Sequence, residues 1–216
     1  VAVLTALLWF LLSRSFIGIA TSTAKATKTI YKEKAEKVRS VSSALFGKEM
    51  RRFTASPSYM LNCGLGIVFL LIGGVALLIK GNYLGEMLKA AFVEMPDIVP
   101  VLLCAAICTM ISTIDITAPS VSLEGKSIWL AQSLPVNAWQ VLKAKLKVQI
   151  LLSGAPALFC TLCGVFTLKL TLAESLITIA IVALYTLLAA VFGLFLGLKM
   201  PNLTWTNEIT PIKQGG

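Results

Sequence analysis

The chain has 216 residues, 57% hydrophobic and only 13% charged, where a soluble globular domain carries about 25% charged residues. That balance excludes a soluble fold and predicts an all-α polytopic membrane protein. A formal net charge of +9 would suit nucleic acid, but nine of the 19 basic residues lie between Lys25 and Arg52, directly after an apolar run, which is the positive-inside pattern.

Five apolar segments are long enough, or nearly so, to cross a hydrocarbon core as helices at about 20 residues each. They are Val1 to Ala20, Pro57 to Ile79, Ile98 to Ala118, Val148 to Leu168 and Leu172 to Leu198. The chain starts inside the first of these, without a preceding basic stretch, and is expected to be a piece of a longer protein. Basic residues exceed acidic ones in the connections after the first, third and fifth segments, so residues 21–56, 119–147 and 199–216 are expected on the cytoplasmic side.

The first of those stretches changes character along its length. Residues 24–40 are polar, basic and alanine-rich, as in a solvated helix or linker. Then Phe46, Met50 and Phe53 recur at i, i+4 and i+7, with Lys48, Arg51 and Arg52 on the remaining faces. This predicts a short amphipathic helix against the inner leaflet, stopped at Ser56-Pro57.

The third segment ends near Asp115, the carboxylate closest to the body of a span. Such a charge is costly in hydrocarbon, but here it can reach water or cap a helix. Gly125-Lys126-Ser127 comes next and has the ending of a phosphate-cradling loop. Five residues before Gly125 stands Ser120, where that motif requires Gly, and an apolar membrane run replaces the short strand. No nucleotide-binding or catalytic motif is read here, and an enzyme is not expected. The same connection predicts two short helices parted by Leu134-Pro135, the second capped by Asn137. Trp129 and Trp139 mark it as a binding surface or as a membrane-interface belt.

The fourth segment holds Pro156, which predicts a kink, and Cys160 and Cys163. With no His in the chain, the five cysteines read as small packing residues, without metal or disulfide. Gly193-x-x-x-Gly197 in the fifth segment allows close helix approach.

The order of these features resembles the permeases of bacterial ATP-binding-cassette exporters, most closely the large two-half permeases of Gram-positive bacteria. The resemblance rests on "LFGKEMRRFTASPSYMLNCGLG", "SLEGKSIWLAQSLPVNAWQVLKAK" and "PNLTWTNEITPIKQG", and covers Leu45 to Gln214. It implies a multi-pass bacterial plasma-membrane protein. Residues 1–20 would be the last span of a preceding half, 21–56 a linker and elbow, 57–198 a four-helix bundle, and 199–216 a cytoplasmic segment. It implies a coupling helix within residues 119–147, docking on a separate ATPase subunit through Glu124, Lys126, Trp129, Pro135, Asn137 and Trp139. ATP and magnesium would then belong to that subunit and no cofactor to this chain. The lipid bilayer and a second permease half or copy would be further partners, and nucleic acid none. The competing readings are a secondary transporter or channel without an ATPase, and a non-transporting assembly or sensor protein. The lack of intramembrane ionisable rows weighs against a transporter driven by ions.

Overall fold

A computed structural model describes residues 9–10, 13–14, 40–93, 95 and 98–214. The chain divides into two units, residues 1–38 and 39–216, and every helix from Val41 onward belongs to the second. The expected first span and most of the basic linker lie outside the described residues.

All regular structure among the described residues is helical. Helix α1 (Val41–Ala55) starts at Ser40, whose hydroxyl accepts the Ser43 N–H. It stops at Ser56, which caps α2 (Pro57–Ala91) by accepting the Tyr59 N–H, with proline at the first helical turn, where a missing donor costs nothing. Helix α2 runs twelve residues past the expected end at Ile79. Its last turns hold because Gly81 and Gly85 let them pack on Thr167 and Leu168 at the far end of α6.

The segment expected as one helix from Ile98 to Ala118 is two helices, α3 (Ile98–Ser112) and α4 (Thr117–Ser122). Asp115 sits in the break and its Oδ1 accepts the Ala118 N–H at 3.0 Å, the capping option of the two open to it. A 3-10 turn (Gly125–Ser127) and α5 (Ile128–Ser133) come next. Asn137 then caps α6 (Ala138–Thr167) in a reciprocal box with Gln140. The second short helix expected from Asn137 is thus the opening of the fourth apolar segment, continuous with it. Pro156 lies inside α6 and the helix is unbroken around it. Helix α7 (Leu172–Lys199) begins with a Thr171–Glu174 capping box, and α8 (Ile209–Gln214) closes the described chain.

Four stretches are long and apolar enough to cross a membrane: Pro57–Ala91, Ile98–Ser122, Ala138–Thr167 and Leu172–Lys199. Their outward faces carry exposed Ile79, Leu184, Leu188 and Phe192, the surface expected against lipid acyl chains. The inner faces meet through small residues. A Cβ at Gly74 would strike the Phe159 ring at 2.7 Å, and one at Gly193 would meet Thr117 Oγ1 at 2.6 Å. At Gly197 it would collide with the Ala118 carbonyl. The Gly193-x-x-x-Gly197 pair therefore seats α7 on α4. Buried Leu70, Ile107, Ile111, Val148 and Val182 fill the space between.

Among the described residues the chain runs the length of this bundle four times, and the start of α2, the residues after α4 and the residues after α7 meet at one end. Ser56 at the start of α2 donates to Glu208 beyond α7 at 3.3 Å. The Asn202 N–H donates to Ser122 Oγ at 3.0 Å, and the Trp205 indole N–H donates to the Ser122 carbonyl.

Candidate functional site

Helix α1 turns Leu45, Glu49 and Phe53 inward, an i, i+4, i+8 stripe with a carboxylate at its centre. Phe53 is 5% exposed and packs edge-on against Tyr59, with ring centroids 5.3 Å apart. Phe46 and Met50 are half-buried against the same core. The apolar face predicted for the inner leaflet is thus turned largely onto the bundle. Lys48 and Arg52 lean inward from its edge, and Arg51 points out.

Beneath α1 lies a buried ion cluster. Lys145 of α6 is 3% exposed and all three of its ammonium donors have oxygen neighbours. Nζ donates to Glu49 Oε2 at 3.1 Å and to the Ser120 carbonyl at 3.0 Å, and it stands 2.7 Å from Glu124 Oε1. Lys48 and Arg52 close the cluster from outside, each 3.6 Å from Glu124 and 3.7 Å from Glu49. Burial alone would push the Glu124 carboxyl up. Lys145, then Lys48 and Arg52, outweigh that and hold it below its ordinary value. A buried ion set of this kind adds little net stability, but removing one member leaves an uncompensated charge.

A second polar device lies deeper. Gln149, one α-helical turn beyond Lys145, is 1% exposed and spans the α3–α4 break. Its Oε1 accepts the Ile116 N–H at 2.8 Å and its amide donates to the Ile114 carbonyl. Tyr59 donates from α2 to the Ile116 carbonyl at 2.6 Å. The open backbone inside a span is thus paired by side chains of two neighbouring helices, which is what a membrane interior requires.

The residues expected to form a docking surface divide. Trp129 is 63% exposed and Trp139 55%, and Pro135 and Asn137 are exposed with them. Lys143 Nζ lies 5.5 Å over the Trp139 ring. Glu124 is no surface residue: the cluster draws it inward. The side chain of Lys126 lies outside the described residues. Sequence reasoning missed Glu49, Lys145 and Gln149. The signal available was a charged or amide side chain on an otherwise apolar helix face: Glu49 four residues from both Leu45 and Phe53, Lys145 next to Ala144 and Gln149 next to Val148.

No curated protein and no solved structure matches this chain. One family model does, over residues 8–215, with the description "Putative ATP-binding cassette". This corrects the resemblance to a permease and the function drawn from it. It also corrects the expectations of a non-enzyme and of ATP and magnesium confined to a separate subunit, because the description points to nucleotide in this chain. The Gly125–Ser127 turn has the nucleotide-like sequence, and its Ser127 donors are engaged within the turn. The Ser127 N–H and hydroxyl both donate to the Glu124 carbonyl, at 2.9 and 2.6 Å, and the Ile128 N–H is turned onto Gly125 O. Gly125, at φ +48°, lies against the Trp205 indole. The Ser127 and Ile128 amides are thus already engaged within the turn, and the buried Glu124 carboxylate, which would repel a phosphate, sits beside it. No group of three or more potential metal ligands forms among the described residues. These residues do not fit a nucleoside triphosphate. With residues 8–215 under one family model, the chain belongs to the ATP-binding-cassette family so described.

Proposed function

We propose that this chain is a membrane-embedded member of an ATP-binding-cassette transport system, with the end of the bundle that holds the ion cluster facing the cytoplasm. The reading is carried by one observation: the buried cluster joins α1, the loop after α4 and the opening of α6. That loop and opening also present exposed Trp129 and Trp139. A force on the indoles is delivered to three membrane elements at once, because Lys145 is bonded to Glu49 and Ser120 together. Such a joint suits a two-state movement biased by a partner. Pro135 and Asn137 complete the outer face, against which another component of the transporter docks. The charges favour the inner side of the plasma membrane, with Lys48, Arg51 and Arg52 at headgroup level.

The test is co-purification of the protein from its own membranes with the components encoded beside it, for wild type and for Trp129→Ala/Trp139→Ala. Association of the wild type and its loss in the double variant, at unchanged helicity, support the reading. A component retained equally by both chains shows that the indoles do not form the docking face.

A further inference from the structure

Outside the ion cluster, between α1, the start of α2 and the chain beyond α7, lies an open cavity of about 390 Å³. Lys48, Arg51, Arg52, Ser56, Leu123 and Glu208 are among the residues that line it. Arg52 Nη1 is buried without a hydrogen-bond partner: the carboxylates of Glu49 and Glu124 stand 3.6 to 3.7 Å away, too far to accept. Arg51 makes no ion pair among the described residues. Counting the cavity together with the ion cluster behind it, Lys48, Arg51, Arg52 and Lys145 stand against Glu49, Glu124 and Glu208, an excess of one positive charge. A triphosphate carries far more negative charge than that excess balances, whereas a phosphodiester carries one. Ser56 and Tyr59, at the first turn of α2 where the apolar span begins, are part of its lining, which puts the cavity at the level of lipid headgroups.

We infer that this cavity binds the phosphodiester of an anionic membrane glycerophospholipid, whose phosphate charge is not cancelled by a headgroup cation. The phosphate lies against Arg51, Arg52 and Lys48, and headgroup hydroxyls donate to Glu208, whose Oε2 already accepts the Ser56 hydroxyl at 3.3 Å. Guanidinium groups suit this task because their fork matches two phosphate oxygens. The inference rests on placing this end of the bundle at the membrane surface, but it requires no partner protein.

The experiment places the protein in nanodiscs of mixed phosphatidylglycerol and phosphatidylcholine and counts retained lipids by native mass spectrometry. Wild type is expected to retain phosphatidylglycerol preferentially. Arg51→Gln, an exposed change that leaves the fold intact, and Lys48→Gln/Arg51→Gln are each expected to weaken that preference by about tenfold or more, the effect of losing a charge-assisted hydrogen bond. Neither ATP nor inorganic phosphate is expected to displace the lipid. Equal retention of the two lipids by wild type overturns the inference, as does an undiminished preference in Arg51→Gln. Displacement by ATP or inorganic phosphate overturns the lipid assignment in favour of a soluble phosphate. Co-purification with a transporter component can succeed or fail independently of all these readings.

Discussion

Lys145 Nζ and Glu124 Oε1 stand 2.7 Å apart beneath α1, and neither residue is more than 5% exposed. Their separation in sequence is modest, but they lie on opposite sides of the Trp-bearing loop. Lys145→Met removes the central cation and leaves Glu49 and Glu124 with only the more distant Lys48 and Arg52. The expected cost is about 3–5 kcal/mol, measured by denaturant unfolding in micelles. A loss below about 1 kcal/mol, ordinary for a surface change, would remove the cluster as a structural joint.

Acid should undo the same joint. Burial pushes Glu124 up, but Lys145, Lys48 and Arg52 hold it below its ordinary value. A carboxyl depressed in the folded state stabilises above its unfolded pKa, about 4.3, and that contribution disappears as pH falls through the folded value. Thermal midpoints of wild type and Glu124→Gln are therefore expected to be well separated at pH 7 and to converge below pH 4. Curves that stay parallel down to pH 3 would show that the carboxylate is not stabilised by its neighbours.

The break between α3 and α4 depends on Gln149. Gln149→Leu keeps the volume and strands the Ile116 N–H and the Ile114 carbonyl inside a span. The expected penalty is about 2–3 kcal/mol, with faster amide exchange confined to residues 113–118. Unchanged exchange there would mean that Tyr59 alone holds the break.

Two glycines give opposite expectations. Gly197→Ala drives a methyl into the Ala118 carbonyl and should cost about 1–3 kcal/mol. Gly154→Ala meets only Thr186 Cγ2, at an ordinary 3.6 Å, and should stabilise α6 by about 0.5–1 kcal/mol. Equal effects of the two on the unfolding midpoint would contradict the packing of α7 on α4.

Should the protein bind nucleotide, Ser127 is not where it does so, since both its donors are turned onto Glu124. Ser127→Ala is expected to leave ATP affinity unchanged in equilibrium binding. A tenfold loss would reassign the 3-10 turn to phosphate.

The membrane-crossing stretches were legible because charge-free runs of about 20 residues admit few other folds. Their ends were less so. Helix α2 continues through Lys80, Glu86 and Lys89 because glycines on its other face pack on α6, a tertiary cause invisible to hydropathy. The start of α6 was legible as a cap at Asn137 but not as the start of a span, since Lys143, Lys145 and Lys147 masked the continuity. Asp115 was legible as a residue able to cap a helix, and it does so. The ion cluster was not legible, because Glu49 is far in the chain from Glu124 and Lys145 and a charge on an apolar helix face does not name its partners. The exposed indoles were found because tryptophan is uncommon in a polar connection.

Trp205 and Asn202 complete the surroundings of Ser122, although both come after α7 in the chain. During synthesis, therefore, the loop after α4 reaches its final state only after α7 has been threaded and the residues beyond it have emerged. Until then the Ser122 carbonyl lacks its indole donor and Gly125 lacks its cover. This end of the bundle is therefore closed only after α7 is in place, and an intermediate halted before residue 202 carries an unfinished loop.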